Sequence, residues 1–102
     1  TSKEFDANIN KFRLYPCYPN PFNPSTNIRI SLPETAPVKL QVYNLNGELV
    51  RTLLNTSLSA GEYSFTWSGR DHQNRLVGTG IYLLQISGDR GFSRTQKVIF
   101  LR

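Results

Sequence analysis

The side chains that could do chemistry in this sequence are few and far apart. The lone histidine, His72, stands beside Asp71 in a polar stretch, and the lone cysteine, Cys17, lies far upstream. A thiolate nucleophile needs a base within hydrogen-bond reach, and nothing in the order of residues brings Cys17 to His72. An aspartate and a histidine adjacent in sequence normally point apart, so exposed loop positions are expected for both. The seven carboxylates (Glu4, Asp6, Glu34, Glu48, Glu62, Asp71, Asp89) are isolated from one another. No spacing suggests an acid/base pair or an EF-hand loop, and one histidine with one cysteine cannot make a zinc site. The sequence therefore predicts no catalytic residue, no metal site, no cofactor and no enzyme activity. Asp71 is expected to cap its own turn by accepting backbone N–H bonds within residues 69–74. A weak cation site at Asp71 is the alternative.

The remaining composition narrows the function classes further. The 102 residues fit one domain, with 38% hydrophobic and 12% aromatic residues to build a modest core. A net charge of +5 raises nucleic-acid binding as a question. The basic residues are spread one per strand or turn, though, and form neither a run nor a helix face, which argues against it. No stretch approaches a transmembrane length, and no basic start leads into an apolar signal region. The opening Thr1 and the lack of methionine suggest a piece of a longer protein. A single cysteine excludes an internal disulfide. Cys17, near Tyr15, Tyr18 and Phe22, is expected as a small buried hydrophobe.

Every segment beyond a polar, linker-like arm at residues 1–11 reads as strand. Ile28, Ile30 and Leu32 alternate with polar residues, as do Val38, Leu40 and Val42, which is the period of a strand with one buried face. Arg29 and Lys39 then fall on the solvated side. Asn46-Gly47 matches a two-residue type I′ hairpin turn, where both residues take φ > 0, and its second arm is expected to reach Leu54. Tyr63, Phe65 and Trp67 share one face of a strand and are expected in the core. Residues 81–86 are apolar on both sides, as in a central strand. The last strand is read from Phe92 to Arg102. Regular strands with no helical period indicate an all-β, immunoglobulin-like antiparallel β-sandwich of about seven strands spanning residues 12–102.

Ahead of the first long strand, Tyr18-Pro19-Asn20-Pro21-Phe22-Asn23-Pro24-Ser25-Thr26 cannot be helix or central strand. Pro19, Pro21 and Pro24 each remove a backbone donor and fix φ, while Asn20 and Asn23 favour local side-chain-to-backbone bonds. The segment reads as a stiff, extended collar delivering the chain into a sheet.

Several marks then occur in one order: the collar, Val42-Tyr43-Asn44-Leu45-Asn46-Gly47-Glu48-Leu49-Val50, Ala60-Gly61-Glu62-Tyr63, Trp67-Ser68-Gly69-Arg70-Asp71, Gly80-Ile81-Tyr82, and the terminal Lys97-Val98-Ile99-Phe100-Leu101-Arg102. Together they resemble the C-terminal sorting domains of the bacterial type IX (Por) secretion system, relatives of the immunoglobulin-like module of flagellar hook-capping proteins. The resemblance covers residues 15–102. It implies a non-catalytic address label at the end of a larger exported protein. That protein would pass through the periplasm to the cell surface or medium. The implied partners are the outer-membrane translocon and sortase-like components, with surface lipopolysaccharide reached through the cargo. Gly80 and Tyr82 match the family's glycine-x-tyrosine strand start. Lys97, Val98, Ile99, Phe100 and Leu101 match its terminal lysine-plus-hydrophobic motif, and Arg102 stands where lysine is usual. The resemblance thus nominates these residues for recognition, with a terminal strand edge open to β-augmentation. Pro19, Asn20, Pro21, Phe22, Asn23, Pro24, Asn46 and Gly47 are its structural signature.

Two other readings stay open at this point. A carbohydrate-binding module would need Tyr63, Trp67 or Tyr82 exposed as a platform, and a structural spacer would need only the fold. Oligomeric state, cargo, and removal or retention of the domain are not encoded in these motifs.

Overall fold

A computed structural model describes residues 12–88 and 91–102. The expected arm at residues 1–11 and part of the turn after Gly88 lie outside the described residues. Seven strands follow in order: β1 (Arg13–Leu14), β2 (Thr26–Leu32), β3 (Ala36–Tyr43), β4 (Leu49–Leu58), β5 (Gly61–Trp67), β6 (Gly80–Ser87) and β7 (Ser93–Phe100). They form two antiparallel sheets, β1-β2-β5 and β4-β3-β6-β7. The all-β immunoglobulin-like sandwich expected from the alternation is the fold observed.

The alternating positions do what period two requires. In β2 and β3, Ile28, Ile30, Leu32, Val38, Leu40 and Val42 are buried, while Arg29 and Lys39 face solvent. The inward faces of the two sheets meet in one core. β6 lies between β3 and β7, so the strand that is apolar on both sides is indeed central. The short turn at residues 33–35 carries the chain from one sheet to the other, because β2 and β3 belong to different sheets.

Three expectations need correction. First, among the described residues only Asn74 takes a positive φ without being glycine, so Asn46 does not sit in a type I′ turn. The hairpin is closed by a four-residue turn in which the Gly47 N–H donates to the Asn44 carbonyl, and Gly47 alone has the left-handed φ of 84°. The Asn44 side chain supplies the reason. Its Oδ1 accepts from the N–H groups of Asn46 and Glu48 at 2.9 and 3.0 Å, an Asx arrangement that competes with the two-residue turn. Second, β4 continues past Leu54 to Leu58, with register shifts against β3 between Leu40 and Gln41 and between Val42 and Tyr43. Third, β7 ends at Phe100, and Leu101 and Arg102 continue beyond the strand.

The collar is an inter-sheet staple as well as an entry segment. Its peptide bonds before Pro19, Pro21 and Pro24 are cis. At one end Tyr18 bridges to Asn27 of β2, each N–H meeting the other's carbonyl. At the other end Phe22 bridges to Phe100 of β7 in the opposite sheet. The buried Thr26 hydroxyl donates to the Pro19 carbonyl at 2.7 Å, so this buried polar group is satisfied within the collar.

Candidate functional site

Four of the sequence marks, scattered from residue 22 to residue 100, converge on one buried aromatic cluster. Phe22 of the collar stacks on Phe100 of β7 at 5.0 Å and lies 5.5 Å from Trp67 of β5. Trp67 meets Tyr82 of β6 edge-on at 5.3 Å. All four rings are buried, and aromatic pairs at these separations add to the stabilisation from burial itself. Their polar ends are satisfied at the rim. The Trp67 indole donates to the Arg70 carbonyl at 3.0 Å, and the Tyr82 hydroxyl donates to the Gly78 carbonyl at 2.7 Å. Gly69 completes the packing, with φ of 71° and the Phe100 ring so close that an added Cβ would fall 2.5 Å from it. Only glycine satisfies both the backbone and the ring there.

This arrangement divides the nominated residues. Tyr82, Val98 and Phe100 belong to the core, and Gly80 opens β6 opposite Phe100. Lys97, Leu101 and Arg102 face solvent. Ile99 is half-buried and pairs with the exposed Ile81 on the outer face of the sheet. The Arg102 N–H donates to the Thr79 hydroxyl at 2.8 Å, which holds the chain end against the start of β6.

The free edge expected on the terminal strand is not free at this end. Both functional atoms of the Asn20 side chain are spent on it: Nδ2 donates to the Lys97 carbonyl at 3.0 Å and Oδ1 accepts from the Ile99 N–H at 3.0 Å. The Phe22 N–H donates to the Ile99 carbonyl, and the Phe22 carbonyl accepts from Leu101. From Lys97 to Leu101 the collar thus stands where a partner strand would add. Farther back, the Gln96 side chain bonds the Cys17 N–H and the Tyr15 carbonyl. Sequence reasoning placed the collar and the terminal motif separately and missed Asn20 and Gln96, which bond β7 to the segment before β2, and Gly69, which packs on the Phe100 ring. The pairing of two asparagine-proline steps was the available signal, and it pointed to local turns.

The polar loop end behaves as its residues suggest. Asp71 caps its turn, accepting from the N–H groups of Gln73 and Arg75 at 2.9 and 3.0 Å and from the Arg75 guanidinium at 3.3 Å. The Arg75 backbone N–H foremost, with Gln73 and the Arg75 charge, holds the Asp71 carboxyl below the usual aspartate value. His72 is exposed, and its Nε2 accepts from the Thr52 N–H at 3.1 Å. Cys17 is buried, and burial pushes its thiol up to about 11, so a thiolate is strongly disfavoured near neutrality. Among the described residues no group of three or more histidines, cysteines, aspartates or glutamates could hold a metal ion. No helix among them is long and apolar enough to cross a membrane. The sugar platform is lost as well, because Trp67 and Tyr82 are buried and Tyr63 packs against the core with its hydroxyl on the Ser59 carbonyl.

The family model described as the FlgD Ig-like domain matches residues 21–91. The chain belongs to this family. The match takes in the hairpin, the tryptophan loop and β6 and leaves β7 outside. The FlgD Ig-like architecture also appears in solved structures. A crystal structure of dimeric latent PorU from Porphyromonas gingivalis aligns with TM-score 0.71 and 20% identity, covering 88% of this chain and 9% of that one. FlgD from P. aeruginosa aligns with TM-score 0.56 and 23% identity over 74% of this chain and 60% of that one. FlgD from Xanthomonas campestris, described as a hook-capping protein essential for flagellar assembly, gives 0.58 and 20% over 95% of this chain and 72% of that one. At these identities the likeness speaks for the fold. This FlgD Ig-like domain corresponds to a small part of the PorU chain. No curated protein matches it in sequence.

Proposed function

We propose that this FlgD Ig-like domain is a non-catalytic sorting module. It directs a larger exported protein through the type IX (Por) system across the outer membrane, to the surface or medium. The observation that carries this reading is the union of the collar with the terminal motif. Two marks of the sorting-domain resemblance, more than seventy residues apart, form one structure through Asn20 and Phe22. The likeness to PorU over most of this chain supports the same reading. Recognition then falls to the residues the core does not consume: Lys97, Leu101 and Arg102, with Ile81 and Ile99 on the adjoining outer face. The translocon reads an assembled surface of collar and chain end rather than adding a strand at this edge.

The test is export of a fluorescent reporter carrying residues 12–102 at its C-terminus behind a cleavable signal, in a type IX-competent bacterium and a translocon-deficient strain. Reporter outside the cell only in the competent strain is the expected result. Folded reporter trapped in the periplasm of both strains overturns the proposal. The second reading, a structural module like that of hook-capping proteins, is favoured by the family match itself. On that reading, removing Leu101 and Arg102 leaves cargo location unchanged.

A further inference from the structure

A pocket of about 270 Å³ opens between β4 and β5, on the side of the sandwich away from β7. Its lining is mostly polar: Arg51, Arg70, Thr66 and Ser68 stand around it beside Trp67 and Leu53, with no carboxylate among them. Both arginines are half-buried. The Arg51 guanidinium donates to the Asp71 carbonyl at 2.6 Å, and the Arg70 guanidinium donates to the Asn74 carbonyl at 2.9 Å. These neutral acceptors fix the two side chains in place without cancelling their charge. Ion pairs among the described residues are Arg29–Glu62 and Arg75–Asp71, so neither pocket arginine holds a carboxylate. The carboxylate of Asp71, whose carbonyl holds Arg51, is turned to its own loop and to Arg75.

We infer that this pocket binds a phosphate group. A guanidinium carries five N–H donors and spends one on each carbonyl named, so most of its donor capacity remains. Two guanidiniums from different elements, with the Ser68 and Thr66 hydroxyls, present more donors than the two oxygens of a planar carboxylate can use. A tetrahedral oxyanion offers its acceptors in several directions and suits a site with donors on more than one wall. The volume admits a phosphate with part of the group it is attached to. Neither the sorting role nor the aromatic cluster requires these two arginines, so this inference stands apart from the proposed function.

The experiment is a nuclear magnetic resonance titration of the domain at fixed ionic strength with inorganic phosphate, glucose 1-phosphate and acetate. The Trp67 indole N–H, bonded to the Arg70 carbonyl, is the reporter inside the site. Saturable shifts of this signal and of the Ser68 and Arg70 amides with both phosphates, and weaker shifts with acetate, are expected. Tighter binding of the sugar phosphate would assign the natural ligand to a phosphate ester, and equal affinities would assign it to the free ion. Arg70→Gln and Ser68→Glu should each weaken binding about tenfold or more. The second variant keeps both arginines and adds a competing carboxylate at an exposed position. Arg29→Gln, on β2 and outside the pocket lining, should bind as the parent does. Linear, non-saturating shifts, or equal losses in Arg29→Gln and Arg70→Gln, would overturn the inference in favour of diffuse charge screening.

Discussion

The collar end and the polar loop end of this sandwich use the same chemical device to opposite ends. In each, one short side chain with two polar atoms satisfies two backbone groups. Asp71 and Asn44 reach N–H groups at most four residues away and shape their own turns. Asn20 reaches groups 77 and 79 residues away and ties the entry of the chain to its last strand. A local cap shapes a turn through groups within four residues of it. A long-range cap stabilises only a fold whose other parts are already in place, and it takes away a strand edge that would otherwise pair with another chain. The molecule thus protects its terminal strand with a segment of its own rather than with charge or a bulge.

This contrast can be broken most sharply at Phe22. Phe22→Ala removes the ring that joins collar, β5 and β7, and should cost about 3–5 kcal/mol in urea-denaturation stability. A loss below ~1 kcal/mol would mean that the collar merely lies against the core. Gly69→Ala should follow closely. Overpacking against the Phe100 ring and a left-handed backbone together cost about 2–4 kcal/mol, read as a lowered Tm. Asn20→Ala should cost about 1–2 kcal/mol and expose the Ile99 amide to hydrogen exchange. Asp71→Ala should leave that amide protected and release the amides of Gln73 and Arg75 instead.

Acid titration sharpens the comparison further, because one cap ionises and the other does not. Asp71 has a depressed folded value, so its stabilisation is complete above the ordinary carboxylate range and is lost as pH falls through the lower folded value. Amide exchange at Gln73 and Arg75 should rise there, with Ile99 unaffected. The smallest effect is expected at Cys17. Its raised value means that its contribution holds below the unfolded thiol's pKa and fades as pH climbs towards about 11. Alkylation should be slow in the folded domain and fast in urea.

What was readable in advance follows the reach of the interactions. The alternation in β2 and β3, the centrality of β6 and the turn-capping by Asp71 rest on neighbours within a few residues, and each appears as expected. Asn46-Gly47 failed as a two-residue turn because the Asn44 side chain, one position farther back than the turn pattern considers, took two of the backbone donors. Tyr82, Val98 and Phe100 matched a recognition motif and are core residues, because any motif on a period-two strand must place half its side chains inward.

Sequence alone therefore determined that this chain is all-β, which faces of β2 and β3 are buried, and where β6 runs. It also determined how scarce the reactive groups are. Backbone stereochemistry and hydrophobic period decide those features, and both are local. Only the tertiary structure decided that the proline collar seals the terminal strand, that Trp67, Phe22, Tyr82 and Phe100 share one cluster, and that Arg51 and Arg70 line one pocket. Those juxtapositions depend on how two sheets close on each other, a global balance of packing that no window of the sequence contains.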